Sequence, residues 1–196
     1  MRTILVTSIL FLTLTPLVAA QETKSLPSAG DRAAAEPKPV SMLEHSRFVY
    51  RVIGRMVVRA AELMPEKHYG FKPADSVRTF GEIVGHIADS NYGFCSAALR
   101  EKNPLPKVEK TKSAKVDLIA ALNESILYCD GAYAGMNDAT ALEMVTLTRR
   151  GMPRLGVLNV NQSHTMEHYG NLVTYMRMNG LVPPSSDPEF MQKVAE

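Results

Sequence analysis

Two short stretches of this chain start in the same way. "SMLE" at residues 41–44 and "TFGE" at residues 79–82 each place a hydroxyl three residues ahead of a glutamate. In that pattern the hydroxyl and the carboxylate each bond a free backbone amide at the start of a helix. Helical periodicity follows both. After the first come Val49, Ile53, Met56, Ala60 and Leu63, with Pro65 closing the segment. After the second come Phe80, Ile83, Ile87, Phe94 and Ala98, with Pro104 and Pro106 expected to stop it. A third helix is predicted from about Ala114 to Tyr133, with Val116, Ile119, Leu122, Ile126 and Cys129 on one side. A fourth opens at Pro153 and runs to about Asn179, where Gly180 is placed to cap it and Pro183 and Pro184 prevent continuation. Between the second and third helices, "LPKVEKTKS" reads as a solvated loop. In the link before the fourth, "EMVTLT" suits either a short strand or a helical turn. Four amphipathic helices with almost no strand signal predict an all-α fold, a four-helix bundle over residues 41–187 with a tail at 188–196.

The N-terminus has a different character. Arg2 precedes an apolar run from Ile4 to Val18, and small residues, "VAA", stand before Gln21. This order predicts a secretory signal peptide over residues 1–20, cleaved near Gln21. The run is short for a membrane span, which needs about 20 apolar residues. Residues 21–40 then read as a flexible linker rich in Ala, Pro and Ser. The expected compartment is the periplasm or the extracellular space of a bacterium. A net charge of +2 without a basic run gives no reason to expect a nucleic-acid partner. Cys95 and Cys129 are the two cysteines, and the preferred reading is two buried thiols.

Three of the five histidines fall on helical faces that matter. His164 and His168, in "NQSHTMEHYGN", are four residues apart, about 40° around a helix. Val157, Val160, Tyr175 and Met178 are expected on the same buried face. Two imidazoles in an apolar stripe need partners, and one metal ion satisfies both. His86 flanks the second helix's stripe beside the small residues Ser90, Gly93 and Ala97, which would leave room for an ion and a ligand. His45 is expected to be solvated, and His68 lies in a loop. Both are left out of the site. "HTMEH" also fits an inverted zinc-protease pattern, but only 28 residues follow His168, too few to supply the missing acidic ligand. On the fourth helix, Tyr175 and Asn171 could orient a ligand, and Glu167, about 60° off the histidine face, could partner a metal-bound imidazole.

Two segments carry a resemblance. "YGFKPADSVRTFGEIVGHIADSNYGFC" leads a loop into a helix bearing a histidine, and "NQSHTMEHYGNLVTYMRMNGLVPPSS" holds H-x-x-x-H, Gly-Asn and a terminal proline pair. The chain resembles the DinB-like family over roughly residues 41–187. The resemblance implies a four-helix bundle that binds one divalent metal ion through His86, His164 and His168. Zinc, nickel, iron and manganese all accept such ligands. It also implies a small-molecule substrate and allows a homodimer, while leaving catalytic residues unassigned. One reading is a metal-dependent enzyme, hydrolase-like or thiol-transferase-like. The other is a metal-stabilised module of the cell envelope without turnover.

Overall fold

The structure is a computed structural model that describes residues 39–147 and 151–195. The expected signal peptide and residues 21–38 of the expected linker lie outside the described residues.

The capping boxes do what their sequence predicts. Helix α1, Met42–Leu63, starts on Ser41, whose hydroxyl accepts the Glu44 amide at 3.2 Å while the Glu44 carboxylate accepts the Ser41 amide at 3.0 Å. Helix α2, Phe80–Leu99, starts on the equivalent Thr79 and Glu82 pair. It ends before the prolines predicted to stop it. Arg100 adopts a left-handed conformation (φ 62°), and its amide and that of Glu101 turn back onto α2 carbonyls.

The lysine-rich connection is not a plain loop. It contains a single helical turn, α3, Val108–Thr111, with Val108 buried. Helix α4, Lys115–Ala134, follows. Its buried face carries Leu118, Ala121, Leu122, Ser125, Cys129 and Tyr133, whereas the predicted Val116 is 72% exposed. A short helix α5, Asp138–Ala141, leads to a hairpin of β1, Met144–Thr146, and β2, Gly151–Pro153. The strands pair antiparallel with Val145 opposite Met152, which decides the "EMVTLT" alternatives in favour of a strand.

Helix α6, Arg154–Met178, is the longest described. Gly180 closes it at φ +73°, a conformation open to glycine, with the Gly180 amide on the Arg177 carbonyl and the Leu181 amide on that of Met176. Helix α7, Pro188–Ala195, ends the described chain.

Helices α1 and α2 each pack against both α4 and α6. One part of the core gathers Phe80, Ile83, Ile87, Leu118, Leu122, Leu172 and Met176. Another surrounds Tyr50, Tyr133, Val157 and Leu158. In this second part Cys95 of α2 and Cys129 of α4 form a disulfide, both fully buried. The free-thiol expectation is therefore corrected: α2 and α4 are close enough here, with Cα atoms 5.3 Å apart, to be bridged. Beside it, the Asn161 side-chain amide donates to Asn91 Oδ1 at 2.9 Å, and Asn91 donates to Ser125 Oγ at 3.0 Å. This chain ties α6, α2 and α4 through buried polar groups that would otherwise be costly. Among the described residues no helix is long and apolar enough to cross a membrane.

Candidate metal centre

Because α2 lies along α6, His86 meets the i, i+4 pair of α6. His86 Nε2 is 3.3 Å from His164 Nε2, and His168 Nε2 is 3.1 Å from the same atom. Three nitrogens bound to one tetrahedral ion at about 2.0–2.1 Å stand about 3.3 Å from one another. The donor set thus has a spacing that a divalent metal ion could use. His168 is buried, and His164 and His86 are half-buried.

The protonation states agree with that use. Burial, then the neighbouring His164 and His86, push His168 down to about 4. Burial and His86 lower His164 as well. Both rings are therefore neutral at pH 7 and offer lone pairs. On His86 the tautomer is set from behind. Its Nδ1 lies 2.9 Å from Glu109 Oε2. Burial alone would raise the Glu109 carboxyl, but hydrogen bonds from Arg78 and His86 outweigh it and hold the group below its usual range. An ionised carboxylate only accepts, so Nδ1–H of His86 donates, and its Nε2 faces the other two rings.

Glu109 was hidden in the sequence inside the lysine-rich stretch. The structure shows how it gets to the site. Asp89, three residues after His86 on α2, accepts the Val108 amide at 2.6 Å and the Glu109 amide at 2.9 Å. Gly85 permits the approach, since a Cβ there would sit 2.8 Å from the Glu109 Cα. The other Glu109 oxygen accepts Nε–H of Arg78 at 2.9 Å. The one usable hint in the sequence was Val108, an apolar residue among lysines.

A pocket of about 580 Å³ opens beside the histidines, lined in part by Arg78, Glu82, Ile83, Glu167, His168, Asn171 and Tyr175. The larger space is therefore toward the start of α2, and a smaller pocket of about 240 Å³ lies beside Ser90 and Gly93, lined also by Phe94 and Leu147. On that side Phe94 lies against His164, with ring centroids 5.8 Å apart. Tyr175 is buried and donates its hydroxyl to the Arg78 carbonyl at 2.9 Å, so it fixes the loop before α2. The Asn171 side-chain nitrogen is 3.5 Å from His168 Nδ1. Glu167 is exposed on the pocket lining and makes no described hydrogen bond to an imidazole, so the carboxylate partner of the site is Glu109 instead. Val160 and Met178, expected on the buried histidine face, are 39% and 59% exposed. His45 is exposed and His68 half-buried, and neither joins the group.

An all-helical core carrying three converging imidazoles with a carboxylate behind one of them defines a class of helical protein built around a candidate metal centre. A sequence model of the DinB superfamily matches residues 50–172, and the chain belongs to that superfamily. The uncharacterized protein YjoA of Bacillus subtilis (strain 168) is 25% identical over 126 residues, covering 61% of this chain and 79% of the relative. The solved structure of that protein superposes with a TM-score of 0.57 at 19% identity, over 69% of this chain and 92% of the other. A DinB-like protein from Bacillus cereus ATCC 10987 gives a TM-score of 0.65 at 15% identity, over 72% of this chain and 95% of the other. A mycothiol-dependent maleylpyruvate isomerase gives 0.57 at 17% identity, over 78% and 67%. At these identities the structural likenesses establish the fold.

Proposed function

We propose that this chain is an exported four-helix-bundle protein that binds one divalent metal ion through His86, His164 and His168. With that ion it acts as an enzyme on a small molecule, hydrolase-like or thiol-transferase-like. The observation that carries this reading is the spacing of the three Nε2 atoms, 3.3 and 3.1 Å, at the edge of an open pocket. Three protein ligands leave a fourth position free, the arrangement of catalytic sites, whereas structural sites are closed by four.

When bound, the ion would supply a Lewis acid that activates water or a thiol. The remaining work belongs to the chain. His164 and His168 present neutral nitrogens, and His86 turns its Nε2 toward them. Glu109 holds the His86 ring in register. Tyr175 and Arg78 shape the pocket wall where a ligand enters. A structural neighbour that is a mycothiol-dependent isomerase supports small-molecule chemistry on this fold. Export draws support from the N-terminal pattern and, independently, from the Cys95–Cys129 disulfide, because such bonds persist in oxidising compartments.

Elemental analysis of the purified protein tests the metal reading. One divalent ion per chain is expected, and none in His164→Ala. Equal metal content in the two proteins would refute it.

A further inference from the structure

We infer that the pocket beside the histidines takes a small molecule bearing a carboxylate, and that Arg78 is the residue that orients it. This rests on the metal reading only for the ligand's second contact.

Arg78 is fixed at both ends. Its carbonyl accepts the Tyr175 hydroxyl at 2.9 Å, and its Nε–H donates to Glu109 Oε1 at 2.9 Å. Guanidinium carries five N–H groups, and Glu109 takes one. Among the described residues no acceptor takes the four on Nη1 and Nη2, and the side chain remains 43% exposed on the pocket lining. The free edge of a guanidinium is a planar fork matched to the two oxygens of a carboxylate. Arg78 and His168 line the same pocket, so an acid held at this fork shares the cavity with one of the three imidazoles.

The other charges of the pocket do not compete for the fork. The Glu82 carboxylate is taken up by the Thr79 amide at 2.7 Å. Both Glu109 oxygens are engaged by His86 and Arg78. Glu167, exposed on α6, carries the remaining carboxylate of the lining and disfavours a second anionic group on the ligand. The chemical class is therefore a monocarboxylate whose other end is neutral.

The probe is butyrate, with butyramide as its uncharged counterpart, titrated into the ¹⁵N-labelled protein with and without zinc. Butyrate should shift the Arg78 Nε–H resonance and the Val77 and Asn171 backbone amides to saturation, and butyramide should not. Loss of a charge-assisted fork in Arg78→Met should weaken butyrate binding at least about tenfold, with Arg78→Lys in between. Circular dichroism checks that both variants fold. Equal binding of butyramide, or unchanged butyrate affinity in Arg78→Met, overturns the inference. Failure to take up zinc refutes the metal reading separately, and the zinc-free titration still decides the role of Arg78.

Discussion

Glu109 connects two residues that the chain places 8 positions apart, His86 and Arg78, by accepting a hydrogen bond from each on a different oxygen. A carboxylate behind a ligating imidazole fixes its tautomer and raises its basicity, and losing one typically costs about 10–100-fold in metal affinity. Glu109→Gln keeps the shape and removes the charge. Its zinc affinity, measured by competition with a chelator, should fall by about that factor while the helix signal stays unchanged. His168 supplies a second prediction at this scale. Its ordinary value is 6.5 and the fold lowers it to about 4. Below pH 6.5 the unfolded chain takes up a proton that the native chain refuses, so the unfolded state gains. The stability carried by the neutral ring is complete above about pH 6.5 and is lost as the pH falls through about 4. Thermal melts of the metal-free protein should therefore show a drop between pH 7 and pH 4.5 that is smaller in His168→Gln.

Among the elements, α3 shows where local reading ends. The starts of α1 and α2 were legible because a capping box is written within four residues, and the end of α6 because Gly180 has its own conformational signature. His86, His164 and His168 were legible as candidates because helical spacing puts each on a definite face. Periodicity says less about which face a neighbour covers. Val116, Val160 and Met178 fitted a stripe yet lie at the exposed side of α4 and α6. Glu109 had no signature of its own, because its role depends on α3 reaching α2 across a gap that only Gly85 leaves open. Gly85→Ala should push that turn away and lower zinc affinity about tenfold through the loss of the Glu109 contact. Gly131→Ala in α4 is the control. A Cβ there meets nothing within 4 Å, and replacing a helical glycine should stabilise by about 0.5–1 kcal/mol in chemical denaturation.

For the whole molecule, the candidate metal centre and the core are separable. Hydrophobic packing runs through α1, α2, α4 and α6 on residues distinct from the histidines. On the proposed function, His168→Ala should therefore lose most bound metal and any turnover while circular dichroism retains most of the helix signal. Outright unfolding would make the ion structural, since in such domains binding free energy is folding free energy. The disulfide contributes on the folding side instead. It closes a loop with a sequence separation of 34, and removing that constraint from the unfolded chain should cost about 3–4 kcal/mol. Urea denaturation of the Cys95→Ala, Cys129→Ala double variant measures it, with metal stoichiometry expected to stay at the wild-type value.

The negative charge on Glu109 is a shared quantity, divided between an imidazole and a guanidinium. When an anion draws Arg78 toward itself, a larger part of that charge falls to His86, and its far nitrogen becomes a stronger electron donor. Linkage then requires symmetry: the factor by which an anion tightens the ion is the factor by which the ion tightens the anion. An isotherm for either occupant, taken with and without the other, measures that factor directly.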